Sequence, residues 1–418
     1  MSGNAAEMHG KLEVLRDTVR RIVVDSQTNN PYELGAWTYV SRFLYYVLDL
    51  SPESLAYIRL HTEIFNGEPV NKLIFSNSAS EQSFINTHGY DAILKDLPDD
   101  LILEEPKLPE FRHSLFADHP PPFAGQPVPL GQAVSGRQLT PDLMRYQLYV
   151  RNLYQLGFIE KMANAQPNDR FVFLEIGTGF GCLQYQLLSR FKNKMSAIVI
   201  DLPLMLIFTG AYVVANMPDV NVYLFDPDKP DIKPDPTVHD LILIPNYRVD
   251  ILEDIEKVDL AFNSISMQEM DPKQITDYLE FLHRKVRGGF YYHGSMTLYE
   301  GDDPGTIDNV VGEIAEKFDI RPSLELFRKT AASYVSSSLV SWPINLPYQF
   351  IAVPSESTWK PPEDAQMRVT LVDYRQVDVK LSDGTGNGEV EQFTVASRPS
   401  IAMRIARKLR NLVKRTLS

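Results

Sequence analysis

Between Arg170 and Pro354 apolar residues collect in short β-rich runs, FVFLEIG, SAIVID, LILIPNY, VDLAFNS, GGFYYHG and YQFIAVP, separated by helical segments. This alternation predicts a mainly parallel sheet with helices on both faces, since parallel neighbours need a crossover and a crossover helix buries its apolar stripe on the sheet. A further run, NVYLF, precedes the aspartate-rich stretch DPDKPDIKPDP and reads as an added edge strand whose place in the sheet the pattern leaves open. Upstream, Thr140, Pro141 and Asp142 make a helix start, with a capping hydroxyl, a proline at the first helical position and an acid in the first turn. Leu143, Tyr146, Val150 and Leu153 then recur at three and four residues, giving that helix one apolar face.

The pattern also divides the chain. Residues 1–116 mix helical stretches, KLEVLRDTVRRIVV and WTYVSRFLYYVLDL, with short apolar runs such as KLIFSN, and read as a mostly helical accessory or lid region. Residues 117–136 are dense in proline, which favours extended chain, and form a connector. The α/β pattern occupies residues 137–355. Residues 356–398 are polar, with a hairpin expected through MRVTLVDY and VDVKLSDGTGNGEVEQFTV, whose glycines supply positive φ. Residues 399–418 set Ile401, Ile405, Leu409 and Leu412 on one helical face among Arg404, Arg407, Lys408, Arg410, Lys414 and Arg415. Such a basic amphipathic helix suits an anionic membrane surface, the alternatives being a helix docked on the acidic body or a disordered tail.

Composition narrows the function classes. A chain of 418 residues, 44% hydrophobic and 11% aromatic, can bury one sizeable α/β core with flanking elements. A net charge of -13 argues against a nucleic-acid partner, which would need many Lys and Arg against phosphates. The lone cysteine, Cys182, rules out an intramolecular disulfide and a multi-cysteine zinc site, and agrees with a reducing compartment. The start, MSGNAAEMHGKLEVLRD, is too polar for a secretory signal, and no apolar run reaches the roughly 18 residues of a membrane span. The expectation is a cytoplasmic protein, with contact at the inner face of the membrane as an option; oligomeric state is left open.

The strongest chemical signal is FVFLEIGTGFG, Phe171 to Gly181, an apolar strand running into an acid and three alternate glycines, with LQYQLLSRF behind. Glycines there let backbone approach a cofactor closely, the alternative being a glycine-rich strand end with no ligand. A dinucleotide GxGxxG would need its third glycine at 182, where Cys182 stands, so a nicotinamide cofactor is disfavoured. Asp201 closes the next strand, SAIVID, where an acid can accept hydrogen bonds from both ribose hydroxyls; a helix cap before PLMLIFTGAYVVAN is its other reading.

With these residues in place, LEIGTGFG resembles the first motif of class I S-adenosylmethionine-dependent methyltransferases and IVIDLP the second. VDLAFNS is similar to their fourth strand, and DPKQITDYLEFLHRKV followed by GGFYYHG to the entry of the fifth. The likeness covers residues 166–355. It implies a Rossmann-like domain with a mainly parallel seven-stranded sheet and S-adenosyl-L-methionine as cofactor. More narrowly, IRLHTEIFNG, EIGTGFGCLQYQLL, IDLPLMLIFTGAYV and FNSISMQEM resemble a bacterial family of sugar O-methyltransferases. The resemblance implies that Glu175, Gly177, Thr178, Gly179 and Gly181 line the methionine end, Asp201 and Leu202 the ribose, and the segment around Asn246 the adenine. NVYLF and LILIPNY both lie between Asp201 and the fourth strand, a departure from the generic pattern that bears on Asn246.

Methyl transfer to an alcohol gains from alignment of donor and acceptor and from a base that takes the hydroxyl proton. Candidates at strand ends are Asn263 and Glu269, after the fourth strand, and His293, at the end of the fifth; a solvated Glu269 and a structural His293 are the plainer alternatives. Asp226, Asp228, Asp231 and Asp235 read as a solvated loop rather than a metal site, because lysines and prolines interleave them, and no metal is expected. His61, in IRLHTEIFNG, is either near the acceptor or a satisfied core histidine. The expected activity is an O-methyltransferase acting on a sugar or glycan hydroxyl, in keeping with polysaccharide biosynthesis. The alternatives are a methyltransferase for another small-molecule or lipid hydroxyl, and a non-catalytic scaffold of the same fold in glycan assembly.

Overall fold

The computed structural model describes residues 3–33, 41–42, 44–62, 94, 97–106, 132–134, 137–139, 141–264, 266–298, 314, 317, 319–322 and 344–353. The expected hairpin at 356–398, the basic helix at 399–418, most of the proline-rich connector and the cap residue Thr140 lie outside them.

Gly3–Asn29 is one helix, α1. Leu12, Leu15, Val19, Ile22 and Val23 recur at three and four residues and are buried, so this helix has one apolar stripe. Gln132–Val134 (β1) and Arg137–Leu139 (β2) pair as a small antiparallel ladder apart from the main sheet. Pro141–Gln155 (α2) and Phe158–Asn164 (α3) follow, and Leu143, Val150 and Leu153 are buried as their spacing predicts.

The main sheet begins with Phe171–Ile176 (β3), every residue of which is buried. Cys182–Phe191 (α4), Met195–Asp201 (β4), Met205–Asn216 (α5), Val222–Leu224 (β5), Leu241–Pro245 (β6), Val258–Ser264 (β7), Pro272–Lys285 (α6), Val286–Leu298 (β8), Asp319–Pro322 (β9) and Ile344–Val353 (β10) complete it. The strand order is β5-β6-β4-β3-β7-β8-β10-β9. From β5 to β8 all neighbours are parallel, and β10 runs antiparallel to both β8 and β9. This is the expected Rossmann-like α/β sheet, with one correction: among the described residues it has eight strands, not seven. NVYLF takes one edge as β5, paired with β6, and the strand that no apolar run announced is β9, paired with β10 at the other edge.

Chain order reverses at β3, since the strands after it run first to one side and then to the other. Right-handed crossovers therefore send α4 and α5 to one face and α6 to the opposite face. Alpha-helix α6 starts where Asp271 Oδ1 accepts the amides of Lys273 (2.7 Å) and Gln274 (3.4 Å) with Pro272 behind, and ends in His283, Arg284 and Lys285, which complement the helix dipole.

Helix α5 is apolar all round because it has two partners, the sheet beneath and α1 above. The approach is close: a Cβ on Gly210 would lie 2.7 Å from Leu15 Cδ1 and 3.0 Å from Leu243 Cδ1. Arg21 of α1 reaches Asp226 with Nη2–Oδ2 at 3.0 Å and Asp228 at 3.1 Å, and Tyr247 donates to Asp25 at 2.6 Å. One hydrophobic core thus runs from α1 through α5 into the sheet.

Candidate active site

The pairing register aligns one row of residues across the carboxyl edge of the sheet. Ile244, Ile200, Ile176, Asn263 and Tyr292 are successive partners on β6, β4, β3, β7 and β8. One residue further on stand Pro245, Asp201, Gly177, Ser264 and His293. Three strand spacings separate Asp201 from His293, about 14 Å, a span suited to an elongated ligand lying along the edge. In open α/β sheets this edge, at the reversal of strand order, is where ligands bind.

Gly177, Gly179 and Gly181 have φ of 73°, 63° and 82°, a conformation that glycine adopts without strain. A side chain at Gly177 would overlap Ser266 Oγ, and one at Gly181 would meet Thr209 Cγ2 at 2.7 Å. The turn is braced from three sides. Asp201 Oδ2 accepts the Thr178 amide at 2.8 Å and its hydroxyl at 3.2 Å. Thr209, on α5, meets Thr178 Oγ1 at 2.8 Å and donates to the Gly179 carbonyl at 3.2 Å. Phe180, fully buried, stands edge-on to Tyr146 and Tyr212, with the Arg59 guanidinium 4.3 Å from its ring centre. Thr209 and Ser266 were not singled out from sequence; neither sits in a local pattern that marks it.

Two buried carboxyls flank the turn. Burial pushes Glu175 up to about 8, the Gln184 side-chain amide that donates to it pulls down, and the charge of Asp201 pushes up again. Burial likewise raises Asp201 to about 6 against the lowering pull of donors from Leu202, Thr178 and Gly179. Leu202 contributes its amide, at 2.8 Å from Asp201 Oδ1. A positively charged ligand at the turn would favour ionisation of both acids.

Asn246 follows β6. Its amide donates to the Asp201 carbonyl at 2.8 Å and its carbonyl accepts from Tyr278 Oη at 3.0 Å, so the backbone is fixed. Its side chain is 1% exposed, yet neither Oδ1 nor Nδ2 has a partner among the described residues. A buried primary amide left so is costly, by about 1–3 kcal/mol, unless a ligand answers it.

Toward the other end of the row, His293 is 3% exposed, and its Nδ1 hydrogen-bonds the Tyr149 hydroxyl. Asn263 is fully buried and its Nδ2 donates to the Ile176 carbonyl at 2.8 Å and to Ser266 Oγ at 2.6 Å, which ties the end of β3 to the turn after β7. Glu269 closes the 3-10 turn Ser266–Glu269 and is exposed.

Two sequence features fall elsewhere. The aspartate-rich loop holds α1 through Arg21, and Asp235 caps its own turn by accepting the Thr237 amide at 2.8 Å. Among the described residues no group of three His, Cys, Asp or Glu could hold a metal ion. His61 is fully buried, and its Nδ1 hydrogen-bonds Tyr46 Oη at 2.9 Å.

No protein-family profile matches the chain, and neither does any curated protein sequence. Solved structures do match. A cyclopropane synthase of Mycobacterium tuberculosis is 12% identical over 49% of this chain and 85% of its own, with a TM-score of 0.28. A geranyl diphosphate methyltransferase solved with geranyl diphosphate and sinefungin is 14% identical over 50% and 80%, with a TM-score of 0.31. A [4+2]-cyclase is 11% identical over 50% and 82%, with a TM-score of 0.29. At these identities and scores the likenesses say nothing of what this chain acts on.

Proposed function

We propose that this chain is a methyltransferase that uses S-adenosyl-L-methionine, and that its acceptor is a sugar or glycan hydroxyl. The observation that carries the cofactor is Asn246, a fully desolvated amide with a donor and an acceptor unanswered, at the same sheet edge as Asp201 and the glycine turn. An adenine offers the complementary acceptor and donor. Glu175 and Asp201 add buried carboxyls suited to a cofactor that carries positive charge, and positive φ at three glycines keeps the backbone bare beside it.

S-adenosylmethionine, when bound, supplies an electrophilic methyl group on a sulfonium. The chain's own tasks are to hold the nucleoside along the row, to keep water from the acceptor and to take its proton. His293 suits the last task better than Glu269, because it is buried and held in orientation by Tyr149, whereas Glu269 is exposed. Asn263 serves by fixing the turn after β7.

The sugar rests on the resemblance of IRLHTEIFNG, EIGTGFGCLQYQLL, IDLPLMLIFTGAYV and FNSISMQEM to sugar O-methyltransferases. Incubation with S-adenosylmethionine and a panel of sugars, nucleotide sugars, lipids and small alcohols, read by product mass, tests it. A product one methyl heavier from sugars supports the reading, and one from other hydroxyls alone replaces the acceptor. No product together with no cofactor binding leaves a scaffold of the same fold. Contact with a membrane through residues 399–418 belongs to the same proposal and suits a lipid-linked glycan; no helix among the described residues is long and apolar enough to cross a bilayer.

A further inference from the structure

Asn246 and Tyr247 are the two central residues of a tight turn, closed where the Arg248 amide donates to the Pro245 carbonyl at 2.9 Å. The first carries the buried side-chain amide that is left unanswered at the sheet edge. The second reaches back 222 residues to α1, where its hydroxyl donates to Asp25 Oδ2 at 2.6 Å, with the Ile22 carbonyl farther off at 3.3 Å. Between a phenol and a carboxylate the donor is not in doubt. Burial, with Asp25 adding to it, pushes the Tyr247 phenol well above its ordinary range, so it keeps its proton. Asp25 is held in turn, since its Oδ1 accepts the Asn29 side-chain amide at 2.6 Å.

Tight turns change type by rotation of the peptide between their two central residues, a motion that also swings the side chains on either side of it. Here that peptide joins Asn246 to Tyr247, and it is held from two helices. On one side its carbonyl accepts from Tyr278 Oη at 3.0 Å, and Gln274 Nε2 donates to the same oxygen at 2.7 Å, so α6 supplies this hold. On the other side Asp25 of α1 holds Tyr247. Arg248 fixes where the turn leaves, its guanidinium 4.5 Å from the Phe225 ring centre and paired with Asp250 at 2.9 and 3.0 Å. The Asn246 side chain has no polar partner of its own among the described residues, so hydrogen bonds set its direction only through this backbone.

We propose that α1 is a working part of the ligand site, and that Asp25, acting through Tyr247, is a positioning residue that aims the Asn246 amide at its ligand. That the ligand is an adenine rests on the methyltransferase reading; the aim of the amide is a property of the chain alone. The side-chain amide signals of Asn246 read it in nitrogen-15 spectra of the full-length, ligand-free protein, assigned by their loss in Asn246→Asp. Asp25→Ala and Tyr247→Phe are each expected to shift or broaden those signals, and the double variant about as far as either alone, since all three break one bond. Asp25→Asn keeps an oxygen for the phenol and should restore the parent's signals. Arg21→Ala loosens the same helix through Asp226 and Asp228 and should leave them in place, which a merely structural role for α1 would not. Calorimetric titration with S-adenosylhomocysteine should follow the same order, with a loss of about fivefold or more in Asp25→Ala and Tyr247→Phe and the parent's affinity in Asp25→Asn and Arg21→Ala. If Asp25→Ala does not fold, Tyr247→Phe carries both readings. Asn246 signals unmoved in the folded variants, an equal shift in Arg21→Ala, or signals that move while affinity stays at the parent's value each overturn the proposal. A folded parent that does not bind S-adenosylhomocysteine removes the adenine instead, and the spectra then decide the positioning role by themselves.

Discussion

Glu175 sits at the end of an apolar strand where, among the described residues, Gln184 answers it, and burial pushes its carboxyl up to about 8 from its ordinary 4.5. The folded chain therefore binds a proton that the unfolded chain has lost across that interval. Its contribution to stability is full below the unfolded value and disappears as pH rises through about 8; Asp201, raised to about 6, acts in the same sense at lower pH. Thermal melts of the cofactor-free protein should show the parent losing ground to Glu175→Gln as pH climbs from about 5 to about 9. Parallel curves would mean that Glu175 is ionised in the fold. Gly177 supplies a second test at this scale. Alanine there combines a φ of 73° with a clash on Ser266, and denaturant unfolding should register a loss of about 1–3 kcal/mol. Trimming Ser266 to glycine in that background should return only the clash component. Glu175, the glycines and Asp201 were readable from sequence because strand, acid and turn are contiguous. Thr209, Ser266 and Tyr149 were not, since each acts on a partner more than 25 residues away, through packing that leaves no local pattern.

Among the elements, α1 belongs to the core rather than to a detachable arm, and Gly210 is the reason it can lie so close on α5. Gly210→Leu must push Leu15 and Leu243 aside, and overpacking of that kind costs about 1–3 kcal/mol. Arg21→Ala removes partly exposed ion pairs to Asp226 and Asp228 and should cost less, about 0.2–1 kcal/mol. Urea titrations of the two variants check the order; equal losses would mean that charge, not packing, seats α1. Helices α2, α4, α5 and α6 and the six expected strands announced themselves by periodicity. β9 did not, because Asp319–Pro322 is short and pairs only with β10 at an edge, where little burial writes an apolar run. The Asp-rich loop is solvated, as its acids suggest, but a run of acids does not record that an arginine 205 residues earlier takes Asp226.

For the whole molecule, the proposed site joins five strand ends in one elongated row, with Asn246 and Asp201 at its proposed nucleoside end and His293 at its proposed acceptor end. Buried acids at that site also make affinity for a positively charged cofactor rise with pH through the interval of about 6 to about 8. The most direct measurement is calorimetric titration of the full-length protein with S-adenosylmethionine and S-adenosylhomocysteine, beside Asp201→Ala and Asn246→Ala. The account predicts micromolar binding by the parent and a loss of at least tenfold, about 1.4 kcal/mol, in each folded variant. No binding by the folded parent, or binding indifferent to both substitutions, would contradict it.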